Sequence, residues 1–231
     1  MKKKIQMGGA NTQIIIIVVV IIFLVSLIVG SYYYFSSYSV HGTISRNFIP
    51  YIHDAKLEKR VNEGSIPASI QGNEYNINFW IYVNDYVYRH KEDKIIINRN
   101  YNPCILLTKE HNNLNVISHV ENELDDEKNN VEDIESEEET SIINNCEIKN
   151  IQLQRWVNIN VSLNDTVLDI FINGNLFKTC ILNGYPKPNV GPLEICPDGG
   201  FNGFISDIKF VNRSLSISEI KTNYRNGPSV N

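Results

Sequence analysis

The chain has 231 residues, 42% hydrophobic and 20% charged, with four cysteines and a formal net charge of −5. That is room for one or two domains with an ordinary core. The charge is unevenly placed: positions 121–139 carry eleven Asp/Glu and one Lys, or −10, which leaves about +5 for everything else. Three of those positive charges are Lys2, Lys3 and Lys4, so the remainder is near neutral and offers no basic stripe for nucleic-acid phosphates.

A short basic segment, 1–13, precedes "IIIIVVVIIFLVSLIV", which runs from Ile14 through Ile22 to Val29 and is interrupted only by Ser26. Continued to Phe35 it gives twenty-two residues without a charge. At about 1.5 Å per residue this helix crosses a hydrocarbon layer of about 30 Å. The three lysines place the N-terminus on the cytoplasmic side, and Tyr32, Tyr33 and Tyr34 fit the opposite interface. An uncleaved anchor over 14–35 is expected, with the C-terminal domain extracellular, lumenal or on a virion surface. The rival, a cleaved signal peptide, has a shorter apolar core, and Val29-x-Ser31 is only a fair cleavage site.

Positions 36–46 read as a polar stalk, and 47–231 as a β domain. In "NINFWIYVN", Ile77, Phe79, Ile81 and Val83 alternate with Trp80 and Tyr82. "CILLTKE" and "NLNVISHV" follow, then "WVNINVSL", where Val157, Ile159, Val161 and Leu163 face inward and Asn158, Asn160 and Ser162 outward. The acidic stretch, at about 121–141, repels itself and reads as a disordered insertion between strands. "VLDIFINGNLFKTCIL" is a hairpin, because Asn173-Gly174 is the pair that best tolerates positive φ at both turn positions. Later, Phe204, Ser206, Ile208 and Phe210 are expected on one face of a strand, with Ile205, Asp207, Lys209 and Val211 on the other. Ser216-x-x-Glu219 is a capping box opening a helix from Ile217 to about Tyr224, flanked by Leu215 and Ile220 and stopped at Asn226-Gly227-Pro228.

Strands spaced by roughly ten residues indicate an all-β, two-sheet antiparallel sandwich behind one transmembrane helix. "NINFWIYVND", "LQRWVNINVSL", "LDIFINGNLFKTC" and "GPLEICPDGGFNGFISDIKFVNRSLSISEI", in that order over positions 66–226, resemble the laminin-G-like or concanavalin A-like lectin/glucanase jelly roll, in a membrane-anchored form like those of large DNA viruses. The resemblance implies two curved sheets with ligands on the concave face or at rim loops, sometimes through calcium. It makes the expected function non-catalytic recognition of a glycan or surface protein. A purely structural envelope role is the alternative, and a glycoside hydrolase a more distant one.

Glu123, Asp125 and Glu127 in "ELDDE" formally match the catalytic carboxylates of the glucanase branch, but they lie in a hydrated charge block rather than an apolar strand. No catalytic residue is therefore assigned, and no cofactor is expected. Asp198, Asn202 and Tyr185 are the candidate ligand-binding residues; a rim calcium at Asp198 competes with plain turn chemistry. Trp80 and Trp156 read as core or near-core residues rather than sugar-stacking platforms. Cys104, Cys146, Cys180 and Cys196 allow three pairings; Cys180–Cys196 with Cys104–Cys146 is the expected one and four free thiols the alternative. Asn160, Asn164 and Asn212 head N-glycosylation sequons.

Overall fold

The computed structural model describes residues 9–40, 42–70, 73–121, 142–188 and 190–229, and these divide into two units, Met1–Thr43 and Ile44–Asn231. The first is a helix, α1, Gly9–Val40. Within it Ile14–Tyr32 has a mean hydropathy of 3.4, long and apolar enough to cross a membrane. The hydroxyls of Ser26 and Ser31 donate back to the carbonyls of Phe23 (2.7 Å) and Ile28 (2.9 Å), so neither needs water. Of the segment read as a stalk, 36–46, the first five residues are helical. No Gly or Pro interrupts 31–41, so the helix persists to Val40, and a strand already begins at Ser45.

The second unit is a two-sheet antiparallel sandwich. Its strands are β1 Ser45–Ile49, β2 His53–Asp54, β3 Lys59–Val61, β4 Tyr75–Val83, β5 Lys94–Asn98, β6 Cys104–Leu107, β7 Leu114–Val120, β8 Ile142–Ile148, β9 Trp156–Asn164, β10 Val167–Ile172, β11 Asn175–Ile181, β12 Leu193–Ile195 and β13 Gly203–Val211. Among the described residues one sheet runs β1-β13-β4-β9-β10-β11, with β2 also on β13, and the other runs β3-β12-β5-β6-β7-β8. The acidic insertion, with Glu123, Asp125 and Glu127, lies outside the described residues, between β7 and β8.

The alternation in β4 and β9 does what period two requires. Ile77, Phe79, Ile81, Val83, Val157, Ile159, Val161 and Leu163 are all buried in the core between the sheets. The other face of β9, with Asn158, Asn160 and Ser162 expected outward, is buried too, as are Asn76 and Asn78 beside it on β4. Asn76 and Asn160 bond reciprocally, Nδ2 to Oδ1 at 2.8 and 2.9 Å, and Asn158 Nδ2 donates to Asn78 Oδ1 at 3.1 Å. A second helix, α2 (Ile217–Arg225), lies on this face, with Tyr224 stacked on Trp80 at 5.7 Å and Asn223 Oδ1 accepting from Lys209 Nζ at 3.3 Å. The reciprocal Asn76–Asn160 pair satisfies itself and tolerates the loss of water, whereas Asn158 Oδ1 is buried without a partner.

β13 departs from its expected faces for a local reason. Its register with β4 shifts between Ser206 and Lys209, and Asp207 there takes φ 53°. A bulge adds one residue and reverses parity, so Ile205 on one side of it and Ile208 and Phe210 on the other all point into the core, while Phe204 is exposed. The bulge carboxylate ties β13 to β1 and to the segment that follows α2. Asp207 Oδ1 accepts from Asn47 (3.0 Å) and Ser229 Oγ (2.9 Å), and Oδ2 from the Ser229 N–H (2.5 Å).

The expected disulfide pairing is corrected. Cys146 on β8 bonds Cys180 on β11, with Cα atoms 6.1 Å apart, while Cys104 and Cys196 are buried free thiols. Register explains it. Ile105, Val116 and Cys146 align on the inner face, which puts Cys104, one residue from Ile105, on the outer face of that sheet, out of reach of Cys146. Cys196 follows β12, four strand positions from β8 and therefore across the sandwich from Cys180. Burial pushes the Cys104 thiol up to about 12 and raises Cys196 as well, so both stay protonated and unreactive.

Candidate functional site

Tyr75 is the first inward position of β4, so its ring closes the core at one rim of the sandwich. It stacks on Phe210 of β13 at 6.1 Å. Arg99 follows β5 on the opposite sheet, held where its N–H donates to the Pro103 carbonyl (3.0 Å) and its carbonyl accepts from Asn102 N–H (2.8 Å). Its guanidinium carbon sits 5.7 Å from the centre of the Phe210 ring. Two sheets thus place an aromatic and a cation side by side at the end of the core.

The walls come from loops. Asn102 is the clamp: its amide donates to the carbonyls of His119 (3.0 Å) and Lys187 (2.6 Å), fixing the start of the 187–192 loop. Farther along, Gly191 accepts from Arg99 Nε (3.3 Å) and donates its N–H to Glu63 Oε1 (2.9 Å). The result is a cavity of about 470 Å³, with Ile66, Pro67 and Val190 among its apolar lining and Glu63, Ser69, Asn73 and Glu74 as polar lining.

The floor is short of hydrogen-bond partners. The Tyr75 hydroxyl is buried with none, and burial raises its pKa against the opposing pull of Arg99. Arg99 is 7% exposed, and among the described residues its terminal nitrogens make no hydrogen bond; only Nε does. Burial lowers its pKa, with Glu63 and Tyr75 acting the other way, yet a guanidinium remains charged at neutral pH. A buried donor left unpaired costs about 1–3 kcal/mol, more for a charge. This floor is built to receive an acceptor.

The residues expected from sequence lie elsewhere. Asp198 and Asn202 share a loop at the rim opposite this pocket, beyond the other end of β4. There Asn202 donates its amide to Asp85 Oδ2, and its carbonyl accepts from Asn84 N–H at 2.9 Å. Asp198 is exposed at φ 56° and serves the turn. Tyr185 is exposed on the loop that leads into the Arg99 pocket, its carbonyl accepting from Glu121 N–H at 2.9 Å, so the structure does not join it to Asp198 and Asn202. Among the described residues no group of three or more His, Cys, Asp or Glu could hold a metal ion. Trp80 is buried, as read from sequence. Trp156 is half-buried beside Tyr82, 5.7 Å edge-on.

Two of the three glycosylation sequons are closed by the fold. Asn160 is fully buried in its amide pair, and Asn212 accepts from Ile44 N–H (2.8 Å) and donates to Ala68 O (2.9 Å). Asn164, at the exposed β9–β10 turn, is open.

Arg99, Tyr75 and Glu63 had no sequence signature, because they come from separate segments and meet only through the two sheets. The one available hint was an arginine ending the apolar run "KIIINR".

No family model and no curated protein matches the chain. Solved structures do. The receptor-binding domain of botulinum neurotoxin D aligns at a TM-score of 0.55 and 12% identity, over 81% of this chain and 48% of that one. The receptor-binding domain of the botulinum neurotoxin C/D mosaic serotype aligns at 0.55 and 12%, over 80% and 43%. The binding domain of Paraclostridial Mosquitocidal Protein 1 aligns at 0.51 and 16%, over 81% and 48%. The chain therefore spans about half the length of these neighbours. At such identities the likeness is one of fold: this chain is an all-β sandwich of the kind found in those toxin domains, and neither a laminin-G nor a viral assignment is supported by a match.

Proposed function

We propose that this chain is a non-catalytic binding module, carried on a membrane-spanning N-terminal helix and recognising a glycan or surface protein at the Arg99 rim. The observation that carries this reading is the pocket floor, a buried guanidinium whose terminal nitrogens make no hydrogen bond among the described residues and a buried hydroxyl without a partner, at the end of the core. The likeness in fold to receptor-binding domains of botulinum neurotoxins supports it. The apolar stretch Ile14–Tyr32 supports the anchor, and the Cys146–Cys180 bond suits the oxidising side of a membrane, away from Lys2, Lys3 and Lys4.

The test is a glycan and surface-protein array probed with the sandwich, residues 44–231, as wild type and as Arg99→Met. Ligands retained by the first and lost by the second are expected. Ligands indifferent to Arg99, or none at all, would overturn the reading.

A second reading, structural packing beside neighbouring membrane proteins, draws on β11. This edge strand leaves Leu176, Phe177 and Ile181 at 53%, 60% and 75% exposure. A stable oligomer in detergent that Phe177→Ser dissolves would favour it.

A further inference from the structure

The floor and the mouth of the rim pocket differ in chemistry, and the difference identifies a class of ligand; the argument rests on the binding reading above. At the floor are donors, the terminal N–H groups of Arg99 and the hydroxyl of Tyr75. A planar guanidinium whose two terminal nitrogens are unbonded presents one edge that matches the two oxygens of a carboxylate. The mouth offers Glu63, Ser69, Asn73 and Glu74, groups that accept from or exchange hydrogen bonds with hydroxyls. Between them lie short apolar surfaces from Ile66, Pro67, Ala68, Pro188 and Val190, suited to the C–H face of a ring. A volume of about 470 Å³ sits low in the range of ligand pockets, roughly 300–1,000 Å³, and is sized for one ring with a substituent rather than a long chain.

We infer that the pocket binds a sugar acid, its carboxylate seated on Arg99 beside the Tyr75 hydroxyl and its ring hydroxyls turned to Glu63, Asn73 and Ser69. An acidic sugar satisfies both ends at once. An aliphatic carboxylate satisfies only the floor, and a neutral sugar only the mouth. Glu63 sets the affinity from outside: it is exposed, it faces the cation, and its Oε1 already accepts from Gly191 N–H at 2.9 Å. A glutamine there keeps the acceptor and removes a charge that competes for Arg99.

Calorimetric titration of the full chain in neutral detergent tests this with D-glucuronate, its methyl ester, D-glucose, an oligosaccharide ending in glucuronate, and N-acetyl-leucine. Glucuronate is expected to bind, and the ester and glucose at least about tenfold more weakly, the worth of a charge-assisted pair. A terminal residue of a glycan and a free sugar acid share this chemistry; tighter binding of the oligosaccharide assigns the glycan, equal binding the free acid. Arg99→Met should abolish binding, Arg99→Lys should retain part of it, and Tyr75→Phe should weaken it about three- to tenfold. Glu63→Gln, at an exposed position, should tighten glucuronate about two- to fivefold and should not tighten glucose. Glucuronate binding that ignores Glu63→Gln and Arg99→Lys, or N-acetyl-leucine binding without glucuronate, overturns the sugar-acid assignment. If the array instead finds an Arg99-dependent neutral ligand, the binding reading stands and this inference fails; if nothing depends on Arg99, both fail.

Discussion

Cys146 and Cys180 join the last strand of one sheet to the last strand of the other, their Cα atoms 6.1 Å apart across the open flank of the sandwich. The chain segment they close has a sequence separation of 34, for which the chain-entropy model gives about 4 kcal/mol of stabilisation. Thiol counting on the denatured, unreduced chain should find two free thiols and four after reduction. A Cys146→Ser, Cys180→Ser double variant should unfold at lower denaturant, while Cys196→Ser should leave the flank closed.

Gly174 is needed twice. It supplies φ 74° to the hairpin turn, after Asn173 at 50°, and a Cβ there would stand 3.0 Å from the Tyr224 Cβ of α2. Gly174→Ala should destabilise by about 1–3 kcal/mol, by strained backbone and by displacing the helix. Pairing it with Tyr224→Gly, which removes that Cβ, should recover the steric share only, so the two changes should be less than additive in denaturant unfolding.

The amide pair Asn76–Asn160 is reciprocal and buried. Asn160→Leu strands its partner and should cost about 1–3 kcal/mol, whereas Asn76→Leu with Asn160→Leu should cost less than the sum of the two singles. Equal and additive losses would mean that the pair does not act as a unit.

Acid should loosen the C-terminus first. Hydrogen bonding from Arg213, Nη2 to Oε1 at 2.6 Å, together with the cap bonds of Ser216, holds Glu219 at about 2 against an ordinary 4.5. Burial works against ionisation of Asp207, but the bonds from Ser229, Asn47 and Ser206 outweigh it and lower its pKa too. A depressed carboxyl contributes fully above its unfolded value and loses that contribution as pH falls through the folded one. For Glu219 the window is from about pH 4.5 down to about 2. Trp80 fluorescence, which reports its stacking on Tyr224, should change across this window in the wild type and much less in Glu219→Gln.

Secretory expression should glycosylate Asn164 alone in folded protein. Asn164→Gln should remove the mass shift, and sugar on Asn160 or Asn212 should occur only in misfolded material.

The legible parts of this fold were those whose cause is local. Asn173-Gly174 must turn, Ser216 and Glu219 must cap, and alternate Ile and Val in β4 and β9 must share a face. The Asp207 bulge escaped because one added residue leaves no mark on an alternating pattern in which both faces carry apolar side chains. The disulfide escaped because pairing depends on which face of which sheet each cysteine occupies, and spacing does not report that. The outward asparagines of β9 looked solvated because nothing before Ser216 shows that α2 folds back over them. The pocket was the least legible, since Glu63, Tyr75, Arg99 and Gly191 become neighbours only when both sheets and three loops are in place.

The central claim is that the Arg99 rim is where this module meets its ligand. Proton–nitrogen correlation spectra of the sandwich, read at the Arg99 Nε–Hε resonance assigned by its loss in Arg99→Lys, test it most directly. On adding the ligand selected by the array, that resonance should move while those of Arg60 and Arg213 stay in place. A saturated complex in which Arg99 is unmoved and the backbone signals of Asp198 and Asn202 shift would contradict it.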